Sequence, residues 1–237
     1  MSTTTSGSTP HSQTLSRGIR CLEILAESDR PLSIAELAAA LGVHRSIAYR
    51  ILRTLEDHGL VLRDASGAFS LGPRMAALAR GVSRDLQSAA LPELTAAAND
   101  LGMTAFVAVL DHLDVVTLVS VEPKHERATV AHRPGTRHPL AVGAPGIAIQ
   151  SRLTQADREA LGYHGAMRAE ASDARIAGFA VSHDEVIPGM SSVAVPLILP
   201  GQPPAAVAVV YVSSSRSPEA IGARLTAAAA AVAADLA

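Results

Sequence analysis

Five polar side chains within one short stretch of the sequence are suited to binding nucleic acid. Placed on a helix at about 100° per residue, they fall within a sector of roughly 140°; they are Arg45, Ser46, Tyr49, Arg50 and Arg53. Guanidinium groups bind phosphates and guanine edges, and hydroxyl groups add further hydrogen bonds. The opposite side of the same helix is apolar, with Ile47, Ala48, Ile51, Leu52 and Leu55. An ordinary amphipathic helix with a solvated face has the same pattern, so the neighbouring elements must decide between the two.

The other candidate chemistries have weaker patterns. His125, His132 and His138 are separated by seven and six residues, which is not the compact spacing of metal-binding motifs. The serines lack the G-x-S-x-G elbow of hydrolases, and Cys21 lies within an apolar-periodic helix. No glycine-rich phosphate loop is present. The sequence therefore predicts no enzyme, no metal site and no cofactor.

Helix signals around the polar stretch predict a helix-turn-helix. Ser16 is expected to cap a first helix, and Ser33 with Glu36 forms the capping-box pattern of a second. Gly42 follows that helix as a left-handed cap, and residues 43–57 make the third helix. Helix, short glycine turn and helix is the arrangement that places a recognition helix in the major groove.

A hairpin pattern follows the third helix. Two short strands, 60–63 and 68–71, flank a turn rich in Asp, Ser and Gly at 64–67, which predicts the wing of a winged helix-turn-helix. Arg63 fits a phosphate contact and simple solvation equally well. At the start of the third helix, backbone amides attract phosphate. The candidate DNA contacts are therefore Ser33, His44, Arg45, Ser46, Tyr49, Arg50, Arg53 and Arg63.

Composition and charge agree with a DNA-binding domain followed by a separate second domain. The 237 residues are 48% hydrophobic, enough for two domains. Residues 11–80 carry nine Arg and seven acids, a net charge of +2, and residues 81–237 carry −4. A single Cys excludes an internal disulfide, which favours a reducing compartment. Residues 1–13 are Ser/Thr-rich without the features of a secretory signal, so we expect them to form a disordered tail. The most apolar stretch is broken by prolines, so we expect no membrane span. The expected location is the cytoplasm.

The rest of the chain predicts an α+β domain. One helix is expected from Arg74 to about Gln87 and a second from Pro92 to Asn99. Strands are expected at 104–110, 115–121, 128–132, 193–199 and 206–213, and helices at 144–151, 155–161 and from Pro218 onward. Strands interleaved with helices at this spacing favour an antiparallel sheet covered by helices. The predicted organisation is a tail (1–13), a winged helix-turn-helix (14–72), a linker helix (73–90) and an α+β domain (91–237).

Residues 15–72 resemble the IclR-type transcription regulators. The resemblance rests, in order and register, on LSRGIRCLEIL at 15–25, AELA at 35–38, LGV at 41–43, Ser46, YRIL at 49–52, TLE at 54–56, GL at 59–60 and LG at 71–72. It implies a homodimer, often within a tetramer, whose paired recognition helices bind a roughly palindromic operator in double-stranded DNA. Repression is the expected mode of action.

The second half is similar to the GAF-like effector-binding domain of the same family. The matching segments are 135–146, 178–185 and 189–196, with differences at Ala141, Ile147 and Ser192, where the family often has His, Lys and Cys. By matched position, the resemblance implies a small-molecule pocket lined by Gly143, Ala144, Asp184, Ser192, Tyr211 and Ser213.

The charge near this pocket has two interpretations. Arg137 and His138 are suited to binding the carboxylate of an effector, and they equally fit the surface of a strand-to-helix loop. Ser192 likewise fits a turn at the sheet edge. Two functions remain open: a ligand-gated DNA-binding regulator, and a DNA-binding protein whose second domain only oligomerises, without an open pocket.

Overall fold

Three helices, a hairpin and a short fourth helix form the first of two units in a computed structural model, which describes residues 12–79, 81–124 and 130–237. The chain divides into the two units after Val82. The elements of the first unit are α1 (Gln13–Glu27), α2 (Ile34–Ala40), α3 (Arg45–Asp57), β1 (Val61–Arg63), β2 (Phe69–Leu71) and α4 (Arg74–Ala79). The predicted order of three helices and a hairpin is confirmed.

The core of this unit contains apolar residues from α1, α2, α3 and both strands. Cys21, Leu37 and Val61 are fully buried, and Leu52 is 1% exposed. Burial raises the pKa of the Cys21 thiol to about 11, because desolvation disfavours the thiolate. Cys21 is therefore a core residue, as its helical periodicity predicts, and not a nucleophile.

The start of α1 differs from the prediction. Its N-cap is Ser12, whose hydroxyl accepts a hydrogen bond from the Leu15 amide at 3.4 Å, and Ser16 lies inside the helix. The two serines are about one helical turn apart, so both fit the capping pattern. Of the predicted disordered tail, residues 1–11 lie outside the described residues, and Gln13 already belongs to α1.

The capping box of α2 is confirmed in both of its hydrogen bonds. The Ser33 hydroxyl accepts from the Glu36 amide at 3.3 Å, and the Glu36 carboxylate accepts from the Ser33 amide at 2.8 Å. The Arg30 guanidinium and Ser33 together lower the pKa of Glu36 to about 2. At the other end of the helix, Gly42 takes a φ of 63°, the left-handed conformation that leads the chain into α3.

The wing contains one strand contact that the sequence does not predict. β1 and β2 pair antiparallel, with Leu62 opposite Ser70. Leu32, just before α2, exchanges two backbone hydrogen bonds with Phe69, of 2.9 and 2.8 Å. This bridge ties the wing to the segment that precedes α2, and so fixes the hairpin against the helices.

The predicted linker helix is wrong in its extent. In place of one helix from Arg74 to Gln87, the chain forms α4 and then α5 (Arg84–Leu101). Ser83, immediately before α5, has a left-handed φ of 44°, which no helix interior adopts. Pro92 lies inside α5 and does not begin a new helix. The proline costs one backbone hydrogen bond, which the packing of α5 offsets.

A six-stranded antiparallel sheet forms the second unit, in the order β5-β4-β3-β8-β7-β6. The elements are β3 (Thr104–Asp111), β4 (Asp114–Val121), β5 (Arg137–Pro139), α6 (Gly143–Gln150), α7 (Gln155–Ala160), α8 (Ala169–Ala177), β6 (Ala180–His183), β7 (Ser191–Leu197), β8 (Ala205–Tyr211) and α9 (Pro218–Asp235). The predicted α+β class with an antiparallel sheet is confirmed.

Both faces of the sheet are covered at its centre, where β3, β4, β7 and β8 each have residues in or against both cores. In β3, Ala105 and Val107 belong to a core that also contains residues of α5 and α9. Phe106 and Ala108 belong to a second core with residues of α6 and α8. Because successive strand residues point to opposite faces, these four central strands carry apolar residues on both sides.

Short elements account for most of the remaining differences. β5, β6 and α8 are absent from the prediction; β5 has only three residues, Arg137–Pro139, with no apolar alternation. The predicted strand at 128–132 is wrong for residues 130–132, which are not in a strand, and residues 128–129 lie outside the described chain. Within the described ranges, no helix is long and apolar enough to cross a membrane.

Replacing the capping serine of α2 tests its contribution to stability. Ser33→Ala removes the hydroxyl acceptor for the Glu36 amide and is expected to lower the free energy of unfolding of the first unit by about 1 kcal/mol. Urea denaturation followed by circular dichroism measures this change. Ser16→Ala, on the exposed side of α1, is the matched control and is expected to change the free energy of unfolding little. An equal loss in both variants would contradict the assignment of the cap.

Candidate nucleic-acid interface and buried cavity

The polar sector of α3 is exposed as a single surface. Its five predicted members all face solvent, whereas Ala48, Ile51 and Leu52 are buried at 0%, 5% and 1% exposure. The helical periodicity assigns Ile47 to the apolar side, but Ile47 is 39% exposed and adjoins the polar surface. The recognition surface therefore combines guanidinium, hydroxyl and phenol groups with one aliphatic side chain; its members are Arg45, Ser46, Ile47, Tyr49, Arg50 and Arg53.

Positive charge on this surface is concentrated toward the start of α3. Arg53 lies 3.7 Å from Glu56 and 3.4 Å from Asp57, one turn further on. Arg45 and Arg50 form no ion pair with any residue in the described part of the chain. Because their charges are not offset by neighbouring carboxylates, these two guanidinium groups are the ones best suited to meet phosphates or guanine edges.

His44 occupies the N-terminus of α3. Its ring Nδ1 accepts a hydrogen bond from the Ser46 amide at 3.4 Å and lies 2.9 Å from the Ser46 hydroxyl. The side chain thus caps the helix, and with Nδ1 accepting, Nε2 is the nitrogen that carries the proton. That N–H is the group with which His44 can contact a phosphate.

Two further predicted contacts lie beside the helix. The Arg63 guanidinium carbon lies 5.6 Å from the centre of the Phe69 ring, within the distance of a cation–π contact. The wing turn next to it is held by the Asp64 carboxylate, which accepts from the Ser66 and Ala68 amides at 2.9 Å each. The Ser33 oxygen accepts the capping hydrogen bond from the Glu36 amide. This bond leaves the hydroxyl proton of Ser33 available to donate.

A small, partly open cavity of ≈ 30 Å³ lies in the second unit, between the sheet and the N-terminus of α6. Phe106, Ser192 and Val210 line it from the sheet, and Val186 and Ile187 line it from the loop after β6. The volume is room for one or two water molecules. The cavity is thus nearly filled by the side chains around it.

Hydrogen bonds from the loop and from β6 cap α6 at the edge of the cavity. The Gly143 amide donates to the Glu185 carboxylate at 2.8 Å, and the Ala144 amide donates to the Ser182 hydroxyl at 2.8 Å. Arg168 donates to the same Glu185 carboxylate. Gly143 has a φ of 78°, and a Cβ there would lie 2.7 Å from Val186, so only glycine fits this position.

Two histidines contribute neutral imidazoles to the cavity wall. Burial, followed by the neighbouring His138, lowers the pKa of His132 to about 4; its Nε2 lies 2.7 Å from the Thr117 hydroxyl. Burial is also the main cause that lowers the pKa of His138, whose Nδ1 donates to the Pro139 carbonyl at 3.1 Å. Both rings are uncharged near neutral pH.

The helix-turn-helix and its exposed recognition helix have counterparts of known identity. The family model of the IclR helix-turn-helix domain matches residues 14–65. The HTH-type transcriptional regulator Rv1719 of Mycobacterium tuberculosis is 32% identical over 197 residues, 76% of this chain and 75% of its own length. The chain belongs to the IclR family of transcriptional regulators. It is accordingly a DNA-binding transcriptional regulator.

Other IclR-family proteins are similar to this chain over much of its length. The transcriptional repressor IclR of Escherichia coli is 26% identical over 64% of this chain and 57% of its own length. A crystal structure of an IclR transcriptional regulator from Alicyclobacillus acidocaldarius has a TM-score of 0.82 at 26% identity, covering 96% of this chain and all of that one. An IclR homologue from Microbacterium hydrocarbonoxydans, solved with 4-hydroxybenzoate, has the same fold, with a TM-score of 0.80 at 22% identity over 94% and 99% of the two chains.

Four of the eight effector residues expected in this IclR-family chain line the cavity: His138, Gly143, Ala144 and Ser192. Ser192 lies within β7, not in a turn, and its hydroxyl donates to the Val209 carbonyl at 2.8 Å. The structure therefore brings together the start of α6 and two strand positions of the predicted pocket, one in β5 and one in β7.

The other four expected residues lie outside the cavity lining. Arg137 pairs with Asp114 on the adjoining strand. Asp184 sits in a tight turn with a φ of 58° and lies 2.9 Å from His183. Tyr211 packs on the core at the opposite face of the sheet, and Ser213 is exposed beyond the end of β8.

Several groups at the cavity are absent from the sequence-based set: Phe106, His132, Ser182, Glu185 and the Arg168 that pairs with Glu185. The sequence singles out His132 only as a candidate metal ligand, and His125, in the same set, lies outside the described residues. Among the residues that the structure describes, no three His, Cys, Asp or Glu side chains come together as a metal site.

The buried His132 makes the stability of the second unit depend on pH. Its pKa is about 4 in the folded protein, against an ordinary value of 6.5 for a solvated histidine, so the unfolded chain binds more protons between these values. The free energy of unfolding is therefore expected to fall as pH drops from 6.5 toward 4. Urea denaturation at several pH values measures this slope.

The His132→Gln variant separates this contribution from other titrating groups. Gln retains a hydrogen-bonding group for the Thr117 hydroxyl but does not titrate, so the loss of stability on acidification should become smaller. His112→Asn, at the exposed turn between β3 and β4, is the matched control and should keep the wild-type slope. A slope unchanged by His132→Gln would refute the assignment.

Proposed function

We propose that this IclR-family regulator is a repressor that binds its operator through α3 and the wing, and whose operator affinity changes when a small molecule enters the cavity of the second unit. The observation that carries the proposal is the exposed surface of α3, with Arg45 and Arg50 free of ion pairs among the described residues. The Escherichia coli relative, named as a repressor, supports repression.

The operator is proposed to be roughly palindromic and bound by a homodimer, with a tetramer as the larger assembly. Two copies of α3 must then enter successive major grooves about 34 Å apart. A molecule that alters their spacing alters the affinity, which is how an effector acts without touching the DNA. A regulator of this kind works beside chromosomal DNA in the cytoplasm and requires no catalytic group.

The small cavity supports an alternative for the second unit. A volume of ≈ 30 Å³ is below the size of most metabolites, as expected if this unit only joins copies of the chain. The homologue solved with 4-hydroxybenzoate favours the effector role. Thermal denaturation with a panel of small alcohols, amides and acids separates the two, because only a saturable ligand raises the melting temperature with concentration.

Removing one guanidinium group from the recognition surface tests the DNA contact. Arg50→Ala is expected to weaken binding to a fragment of the protein's own promoter by about 1–3 kcal/mol, because we expect the exposed Arg50 guanidinium to contact a base edge. Titration of labelled DNA measures the change, with random duplex as a second probe.

Arg20→Ala is the matched control for overall charge. Arg20 lies on α1 and pairs with Glu23 at 3.0 Å, so its removal changes the net charge equally and should leave sequence preference intact. Wild-type affinity in Arg50→Ala would remove this residue from the base-contacting set. A wild-type protein with no preference for its promoter over random duplex would refute the proposed function itself.

A substitution in the cavity wall tests the effector role. Ser192→Val removes the hydroxyl that lines the cavity and puts two methyl groups on the same Cβ. It should weaken the response of operator binding to compounds active in the panel, while binding without them stays unchanged. The same DNA titration, with and without compound, measures both quantities. Ser213→Val, outside the lining, should behave like wild type; an equal response in Ser192→Val and wild type would count against the cavity as the effector site.

A further inference from the structure

The position where a carboxylate effector would bind is already held by a carboxylate of the chain. A helix N-terminus attracts anions because its first amides lack partners within the helix. In α6 these amides are used: Gly143 donates to Glu185 and Ala144 to Ser182, both at 2.8 Å. Gly143, Ala144, Ser182 and Glu185 all line the cavity. An incoming carboxylate would therefore meet both occupied amides and the charge of Glu185.

The positive charges near the cavity are engaged elsewhere. Arg168 binds both Glu185 and Glu170, with its Nη2 2.6 Å from Glu170, so it is shared between two carboxylates. Arg137 pairs with Asp114 and lies outside the lining. Glu185 therefore shares one guanidinium with Glu170, and the described residues of the lining provide no further cation for a second anion.

The two imidazoles of the wall do not supply a charge either. Burial lowers the pKa of both His132 and His138, so each ring is neutral near pH 7 and offers a hydrogen bond without a charge. Within the described part of the lining, the remaining polar groups are hydroxyls and backbone, and Phe106, Met190 and Val210 provide apolar surface. Burying an unpaired anion among such groups is strongly unfavourable.

We infer that the cavity selects uncharged molecules over carboxylates, with a small apolar body and one hydroxyl or carbonyl group. This inference rests on the proposed effector role of the cavity. The apolar body would lie against Phe106 and Val210, and the polar group would bond a neutral imidazole or donate a hydrogen bond to the Ser192 oxygen, whose own proton is donated to the Val209 carbonyl. Since the cavity measures ≈ 30 Å³, the side chains of Val186 and Ile187 must move aside to admit a ring.

Pairs of molecules that differ only in charge test this inference on the full-length protein. Benzamide and benzoate form one pair, and propionamide and propionate a smaller one. Calorimetric titration at neutral pH and constant ionic strength gives each affinity, and thermal denaturation gives an independent measure. At least one amide should bind about tenfold more tightly than its acid, which corresponds to about 1.4 kcal/mol.

Two variants test whether Glu185 causes the selection. Glu185→Gln removes the negative charge from the lining while keeping an acceptor for the Gly143 amide, so the preference for the amide should shrink or reverse. Glu170→Gln removes the same charge from the other partner of Arg168, outside the lining, and should keep the wild-type preference. The wild-type comparison stands even if a variant fails to fold.

The outcomes separate this inference from the proposed function. Acids that bind wild type as tightly as the amides, with binding lost in Ser192→Val, would overturn the selection for uncharged molecules and leave the effector role intact. Equal amide preference in wild type and Glu185→Gln would overturn the role of Glu185. No saturable binding of any of the four probes would overturn the inference, and promoter binding by the same sample then reports separately on the DNA-binding function.

Discussion

A helix can present charge to nucleic acid only when its other side is held in place, and this constraint governs the first unit. Ala48 and Leu52 are buried in the core, so the rotation of α3 about its axis is fixed. The capping box of α2, the turn at Gly42 and the bridge from Leu32 to the wing hold the partners of that packing. Because Arg53 is balanced by nearby acids, the first half of α3 carries the unbalanced charge, and we expect that half to lie deepest in the groove.

Local signals explain why the first unit is largely predictable from sequence. A capping box joins residues three positions apart, and helical periodicity needs only one turn to be recognised. The same locality explains the errors. Ser12 and Ser16 are equivalent as caps until the start of the helix is known. Pro92 is typical of a helix start, yet here α5 continues through it because its apolar residues, such as Leu94, are buried on both sides of the proline.

The cavity depends on contacts between distant residues, which no local pattern contains. Glu185 and Gly143 are 42 positions apart, and Ser182 and Ala144 are 38 apart. The alternation of apolar and polar residues does not identify the cavity-facing side of β8 either, because this strand is apolar on both faces. Its sequence does not reveal that Val210 faces the cavity while Tyr211 packs on the opposite core. Matched positions thus locate the start of α6 and Ser192 at the site but not their partners.

Helices cover both faces of the sheet, and this limits which positions of the second unit can be substituted. A substitution in β3, β7 or β8 disturbs one of two cores, so the strands have little freedom to change. The loop after β6 is different: Val186 and Ile187 line the cavity yet belong to neither core cluster. Under the proposed effector role, substitutions in this loop would alter the lining of the cavity without removing a residue of either core, so a biosensor library built on the chain would vary these two positions first.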